Sequence, residues 1–185
     1  DYYDVKNTPR EVEKSILLTE RGDTTTENII MAAALSGQTV TIRNASPNYM
    51  VQDVCFFLEK LGVKVKGIGT TTLTIHGLNS VSKDVEYAVS EDPIEAVTFV
   101  AVALVTNSEL SIKRAPIEFV ELELETLRQM GANIEISEEY FSYNGRTRLV
   151  DILVKKSKLH AAKDKLHALP FPGINLDNLP FLGLI

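Results

Sequence analysis

Two stretches of the sequence carry side chains that could take part in chemistry. The first is a run of three threonines, which precedes a long apolar segment that ends at Gly37. A threonine hydroxyl can accept hydrogen bonds from the first turn of a helix, so Thr24 or Thr25 is predicted to be the N-cap. The spacing from Thr24 to Glu27 also fits a capping box. The positive end of such a helix, beside a polar loop, is a candidate anion site, although capped core helices are far more common.

The second stretch is the loop from Leu169 to Asp177, which contains two prolines and a glycine. A carboxylate held between apolar anchors could serve as a general base, and Asp177 is the candidate. From the residues alone, a structural aspartate in a turn is the commoner interpretation, because aspartate side chains bond to the nearby backbone in turns.

The remaining reactive side chains do not form a metal-ligand pattern, and no cofactor is predicted. Three histidines lie far apart, without the spacing of metal ligands: His76, His160 and His167. Cys55 lies in the middle of a predicted helix and is expected to be a buried structural thiol. The acidic runs at 118–125 and 135–139 are predicted to be exposed faces and turns.

Length, composition and charge limit the class of protein. The 185 residues are 44% hydrophobic, which suits one domain of ordinary size or two small ones with a real core. The 19 basic and 25 acidic residues give a net charge of −6, which argues against non-specific binding to nucleic acid or membrane surfaces. One cysteine excludes an internal disulfide and favours a cytoplasmic location. Neither end resembles a natural terminus, so the chain is expected to be a fragment.

Hydrophobic periodicity predicts alternating helices and strands along the chain. The first and third helices are almost wholly apolar and are predicted to be buried on most sides. The predicted helices span 24–36, 48–61, 94–106 and 117–130. The predicted strands span 15–19, 38–44, 63–66, 71–75, 85–89, 109–113, 133–136, 140–143 and 150–154.

The order of helix, strand, helix, glycine and two strands occurs at 24–76 and again at 94–143. The offset between equivalent residues is 70 up to Ala45 and 69 from Pro47. The matched pairs include Ala33 with Ala103, Ile42 with Ile112, Pro47 with Pro116, Leu58 with Leu127 and Gly62 with Gly131. Two independent units that agree by chance are the alternative. The pattern predicts an α/β fold built from a repeat, with a connection at 77–93.

The motifs of both units together resemble the UDP-N-acetylglucosamine enolpyruvyl transferase family. The matching stretches of the first unit are 26–34, 42–45, 57–65 and 67–70. Those of the second unit are 94–99 and 127–135. The resemblance runs from about Ile16 to the C-terminus and covers under half of the length of the family's proteins.

In that family six such repeats form two lobes, and each lobe is an inside-out α/β barrel. The resemblance implies that the chain holds two partial lobes. Residues 1–81 would be the last repeat of one lobe and 82–168 the first repeat of the other. Residues 169–185 would begin the next repeat and carry the loop with the family's catalytic aspartate.

The family transfers the enolpyruvyl group of phosphoenolpyruvate to the 3′-hydroxyl of UDP-N-acetylglucosamine, the committed step of peptidoglycan synthesis, without a metal or organic cofactor. The implied partners are these two substrates and the rest of a two-lobed chain, with no nucleic acid and no membrane. A 3-phosphoshikimate 1-carboxyvinyltransferase and a non-catalytic paralogue with the same fold are the alternatives. The family's mobile acid-bearing loop and its phosphate-binding cations would lie outside the 185 residues, so the chain alone is expected to be inactive.

The resemblance also assigns site residues. The family's Pro-Gly-Phe-Pro-Thr-Asp loop matches 172–177, which places Asp177 on the catalytic aspartate beside the sugar hydroxyl. The loop before the first helix contacts the UDP part of the substrate, and its predicted contacts are Glu20, Arg21, Gly22 and Asp23. Asp23 should repel a diphosphate, and Arg21 could compensate for that charge. Pro93 replaces an arginine of the family.

Overall fold

A computed structural model describes residues 14–162 and 164–185, so residues 1–13 of the predicted first repeat lie outside it. The first unit consists of β1 (Ser15–Leu17), α1 (Asp23–Ala34), β2 (Thr39–Arg43), α2 (Tyr49–Leu61), β3 (Lys64–Lys66) and β4 (Thr72–His76). The second consists of α3 (Pro93–Val105), β5 (Leu110–Pro116), α4 (Glu121–Gln129), β6 (Asn133–Ile136), β7 (Tyr140–Phe141) and β8 (Arg148–Lys155). The short helix α5 (Leu179–Leu184) follows the loop that contains Asp177.

Each unit has its own sheet. The first sheet has the strand order β1-β2-β4-β3, with β1 parallel to β2 and the other pairs antiparallel. The second has the order β5-β8-β6, all antiparallel, and β7 also pairs with β8. Two separate clusters of buried apolar residues accompany the two sheets. The predicted α/β fold is therefore confirmed, and no sheet continues across residues 77–92.

The repeat extends further than the sequence predicted. β6 and β7 do not pair with each other, because both pair with β8. β8 contributes the buried side chains of Val150, Ile152 and Val154, so it is the apolar central strand that β6 requires. Since β5-β8-β6 reproduces the order β2-β4-β3, β8 is the equivalent of β4. The second unit therefore ends at Lys155.

Left-handed backbone conformations recur at equivalent positions of the two units. The pairs are Gly37 (φ 66°) with Asn107 (φ 50°), Asn44 (φ 59°) with Arg114 (φ 63°), and Gly62 (φ 101°) with Gly131 (φ 93°). Residues other than glycine rarely adopt positive φ. Agreement at three such positions, at the offsets 70 and 69, argues against chance similarity of the units.

Two local predictions for the segments that precede α1 and α3 are wrong. α1 begins at Asp23 with Gly22 as its N-cap, and no side chain caps it, so neither Thr24 nor Thr25 has that role and no capping box forms. The acidic Asp23 in the first turn favours this earlier start, because it lies at the positive end of the helix. The predicted strand at 85–89 is absent, and the Tyr87 hydroxyl instead donates to Asp53 Oδ1 at 2.6 Å.

The helices α1 and α3 are buried on one face and not on most sides. Each packs against its own sheet, but Leu35, just after α1, is 59% exposed and the equivalent Val105 of α3 is 49% exposed. The prediction that these two helices are buried on most sides is therefore wrong for this part of the chain. Within the described ranges, no helix combines the length and the apolar character that crossing a bilayer requires.

The two units meet along α2. In the connection that precedes α3, the Tyr87 hydroxyl, the Ser90 backbone N–H (3.0 Å) and the Ser90 hydroxyl all donate to Asp53 Oδ1 of α2. Arg146 of the second unit pairs with Glu59 of α2 at 3.0 Å. Polar contacts thus join two units whose apolar cores are separate.

Substitution of the two equivalent C-terminal glycines by alanine tests the repeat geometry. Gly62→Ala should lower the free energy of unfolding by about 1–2 kcal/mol, because alanine is strained at a φ of 101°. Backbone strain is the whole cost there, since the atom nearest to the new Cβ is Leu78 Cδ1 at an ordinary 3.9 Å. Gly131→Ala should cost more, since its Cβ would lie 2.6 Å from the Lys158 carbonyl oxygen. Denaturant unfolding of both variants measures the difference. Equal losses in the two variants would contradict the assigned geometry.

Candidate functional site

A cavity of about 400 Å³ lies between the two units and collects most of the predicted site residues. One wall comes from the segment before α1 and from residues 46–48, and the other comes from Phe119 and the loop 168–177. Arg21, Gly22 and Asp23 line this cavity together with Asp177. Glu20 is exposed and does not line it.

Both charged residues on the first wall are held by neighbouring side chains. Asp23 accepts hydrogen bonds from the Ser46 hydroxyl and, at 2.9 Å, from Asn48 Nδ2. Arg21 donates from Nε and Nη2 to Asn44 Oδ1 at 3.1 and 3.0 Å. Two donors thus balance the Asp23 carboxylate, which lowers the repulsion that its charge would exert on a diphosphate. Because that carboxylate already lies at the start of α1, the helix end is not an open anion site.

The loop of the second wall has a defined shape that presents Asp177 to solvent. The backbone N–H of Asp177 donates to Asn175 Oδ1 at 2.9 Å, and the neighbouring Ile174 is buried. No donor from the described part of the chain bonds to the Asp177 carboxylate, so the carboxylate remains available. The loop keeps an ordered turn although Asn175 and Leu176 replace a proline and a threonine of the family.

A buried carboxylate supports this loop, and sequence analysis missed it. Glu123 was predicted to be exposed, but its side chain is buried, and Oε1 accepts from the Asn175 backbone N–H at 3.1 Å and from Asn178 Nδ2 at 3.0 Å. The helical spacing of Val120, Leu124 and Leu127 does place position 123 on the inward face of α4. That phase was the signal that could have identified it.

A row of aromatic rings connects the two walls. The Tyr49 ring centroid lies 5.8 Å from that of Phe119, which lies 4.9 Å from that of Phe171. Burial and the carboxylates of Asp92, Asp177 and Asp23 raise the pKa of Tyr49 to about 12. The hydroxyl is therefore a neutral donor near the cavity at pH 7. Arg21 is the only Lys or Arg among the described residues that line this cavity.

A second cavity, of about 440 Å³, lies between α3 and the outer edge of β5. On this edge Arg114 forms an ion pair with Glu91, and its guanidinium carbon lies 4.3 Å from the centroid of the Tyr143 ring. Glu91 and Arg114 are the equivalents, at offset 70, of Arg21 and Asn44. In both units, the residue with a left-handed backbone therefore contacts the segment before a helix. In the first unit the cation, Arg21, belongs to that segment, whereas in the second unit the cation, Arg114, is the left-handed residue itself.

Beside this ion pair, Asp151 is a strongly bonded carboxylate. It accepts from Lys113 Nζ at 2.8 Å, from the Tyr140 hydroxyl at 2.7 Å and from the Arg114 backbone N–H at 3.1 Å. The bond from Lys113, followed by the one from Tyr140, lowers the pKa of Asp151 to about 2. Asp151 therefore remains charged over the whole ordinary pH range.

The described residues contain no group of three or more His, Cys, Asp or Glu side chains that could hold a metal ion. Cys55 is buried as predicted, and burial raises the pKa of its thiol to about 12. His160 and His167 are exposed. His76 is partly buried, and its Nδ1 lies 3.0 Å from the Thr39 hydroxyl.

The profile of the family described as EPSP synthase (3-phosphoshikimate 1-carboxyvinyltransferase) matches residues 17–180. The chain belongs to the EPSP synthase family. A solved relative in this fold is the enolpyruvyl transferase NikO from Streptomyces tendae, with a TM-score of 0.69 and 19% identity over 86% of this chain and 36% of that one. EPSP synthase from Acinetobacter baumannii has a TM-score of 0.66 and 20% sequence identity, and the match covers 90% of this chain and 36% of that one.

Curated relatives of this chain carry a more specific name. UDP-N-acetylglucosamine 1-carboxyvinyltransferase 2 of Caldanaerobacter subterraneus is 31% identical over 84% of this chain and 34% of its own length. The protein of that name from Prochlorococcus marinus is 34% identical over 86% of this chain and 35% of its own length. The UDP-N-acetylglucosamine 1-carboxyvinyltransferase of Deinococcus radiodurans is 41% identical over 60% of this chain and 26% of its own length. The chain spans about a third or less of these relatives.

Acid titration of stability tests the Asp151 cluster. The folded-state pKa of about 2 lies below the value of about 3.9 for a free aspartate, so the carboxylate stabilises the fold above pH 4. This stabilisation, about 1 kcal/mol after screening by solvent, is lost as the pH falls from 4 to 2. Asp151→Asn should lower the free energy of unfolding at pH 7 and have little effect at pH 2. A difference between the proteins that does not change with pH would refute this role.

Proposed function

We propose that the protein containing this chain transfers the enolpyruvyl group of phosphoenolpyruvate to the 3′-hydroxyl of UDP-N-acetylglucosamine, in the cytoplasm, as the committed step of peptidoglycan synthesis. The observation that carries the proposal is one shared cavity. Asp177 and the Arg21–Asp23 turn were matched to different parts of the family site, and both line that cavity. The name of the curated relatives, which are 31–41% identical, supports the choice of acceptor.

In this proposal Asp177 is the base at the sugar hydroxyl. Its carboxylate is exposed while its backbone is fixed by Asn175, so it can accept a proton without losing its position. The sugar oxygen then bonds to C2 of phosphoenolpyruvate while the methylene carbon gains a proton. Loss of a proton from that carbon and departure of phosphate restore the double bond. The acid and the phosphate-binding cations for these steps would come from the rest of the protein.

The Arg21–Asp23 turn would receive the nucleotide part of the substrate. Arg21 uses two of its five N–H donors on Asn44, which leaves others for a phosphate oxygen. Asp23 is bound by Ser46 and Asn48, so its negative charge is directed toward the protein. Glu20 lies outside the cavity, and a contact of its side chain with the substrate would require a different placement of this segment.

The division into lobes belongs to the same proposal. Residues 1–81 would end one lobe, 82–168 would begin the other, and 169–185 would start the next repeat. The exposed apolar side chains of Leu35 and Val105 support this division, because further repeats packed on α1 and α3 would cover them. The rest of the protein would then be the partner of these helix faces.

A 3-phosphoshikimate 1-carboxyvinyltransferase is the second candidate, because the matching family is described by that name. The two reactions are distinguished by incubating the full-length protein with phosphoenolpyruvate and one acceptor at a time. Release of phosphate that depends on UDP-N-acetylglucosamine supports the proposal. Release that depends only on shikimate 3-phosphate supports the second candidate, and no release with either supports a non-catalytic paralogue.

Asp177→Asn in the full-length protein tests the role of the base. The amide keeps the size of the side chain but cannot accept the proton, so kcat should fall by about 10²- to 10⁴-fold. Binding of the sugar nucleotide should change much less, because the uridine and diphosphate contacts lie elsewhere. Steady-state phosphate release and equilibrium binding measure the two effects.

Asp92→Asn is the matched control. Asp92 is the N-cap of α3, and its Oδ1 accepts from the Ile94 and Glu95 backbone N–H groups. Asparagine is an equally good N-cap, so the variant should lose little activity. Turnover by Asp177→Asn comparable to that of the wild type would refute the assignment. A large fall in its melting temperature would indicate a structural turn aspartate instead.

A further inference from the structure

Glu123 is a buried acidic residue at a position of the repeat that an apolar side chain could fill. It is 2% exposed and lies on α4 beside Asn178, which is 0% exposed. The equivalent position in the first unit, at offset 69, is Val54, which packs against the apolar core there. Since burial of a carboxylate is costly unless donors satisfy it, an acidic residue at this site of the repeat needs a reason specific to the second unit.

The two donors that Glu123 binds lie on either side of Asp177. Its Oε1 accepts from the Asn175 backbone N–H at 3.1 Å and from Asn178 Nδ2 at 3.0 Å. Within the loop, the Asp177 N–H donates to Asn175 Oδ1 and the Asn178 N–H donates to the Asn175 carbonyl at 3.0 Å. One buried oxygen therefore fixes both ends of the turn that exposes Asp177.

We propose that Glu123 is a positioning residue, which holds the turn 175–178 so that the Asp177 carboxylate faces the cavity. Glu123 does not line that cavity, so it acts only through the loop. The consequence for catalysis rests on the proposed function, whereas the consequence for loop order does not. Among the residues of the first unit that the structure describes, Val54 packs against the apolar cluster and meets no loop with these donors, so a valine suffices.

The first test measures loop order in the chain itself by hydrogen exchange. Glu123→Leu keeps the approximate volume but removes the acceptor, so exchange of the Asp177 and Asn178 amides should accelerate about tenfold or more. Glu123→Gln retains an acceptor oxygen and should restore protection. Glu125→Leu is the control on the same helix, because the Glu125 side chain is 54% exposed. The amides of β8 should keep wild-type exchange in all three variants.

The second test measures catalysis in the full-length protein. Glu123→Leu should lower kcat about tenfold or more while changing the KM for UDP-N-acetylglucosamine much less, and Glu123→Gln should recover most of the activity. Asn178→Ala removes one of the two donors and should give a smaller loss. It also serves as the deciding variant if Glu123→Leu does not fold.

The outcomes separate this proposal from the proposed function. Unchanged exchange at 177–178 in Glu123→Leu, or in Asn178→Ala if the first variant does not fold, would overturn the positioning role. Accelerated exchange that extends equally to β8 would also overturn it and show a general role in folding. If the wild type transfers no enolpyruvyl group, the proposed function fails, and the exchange result still decides whether Glu123 orders the loop.

Discussion

The contact between α2 and the second unit determines the relative position of the two cavity walls. Each unit has a separate apolar core, so burial within the units does not fix how they are placed against each other. That relation depends on Asp53 with its donors Tyr87 and Ser90, on the Arg146–Glu59 pair, and on the aromatic row from Tyr49 to Phe171. Hydrogen bonds of this kind contribute only about 1 kcal/mol each, so the cavity depends on several weak contacts acting together.

The electrostatic character of the cavity follows from this arrangement. The charges of three carboxylates, those of Asp23, Asp92 and Asp177, raise the pKa of the Tyr49 hydroxyl beyond the effect of burial, and Arg21 is the one basic residue that the described lining provides. Of the two acids on the cavity wall, Asp23 is bound by neighbouring donors and Asp177 is exposed. Two aspartates in the same cavity thus have different surroundings, and only Asp177 has no donor among the described residues.

Local periodicity was sufficient to predict most elements and the repeat, because helices and strands reflect the spacing of apolar residues within one segment. It failed where the structure depends on distant partners. The pairing of β6 with β8 joins residues that lie 16 to 22 positions apart, and the segment 85–89 finds no partner strand in the described ranges. For the site, the resemblance indicated Arg21, Gly22, Asp23 and Asp177. Glu123 was missed because its acidic neighbours suggested an exposed face, although the helical phase placed it inside.

The outer edge of β5 also bears on the solubility of this chain. In the first unit β1 covers the equivalent edge of β2, whereas no strand in the described ranges covers β5. An open edge can pair with another molecule and lead to aggregation. Here the strand is interrupted by a bulge between Ile112 and Ala115, and that bulge carries Lys113 and Arg114. A break in the ladder and two positive charges are the features that protect natural edge strands, so this edge resists uncontrolled growth of the sheet.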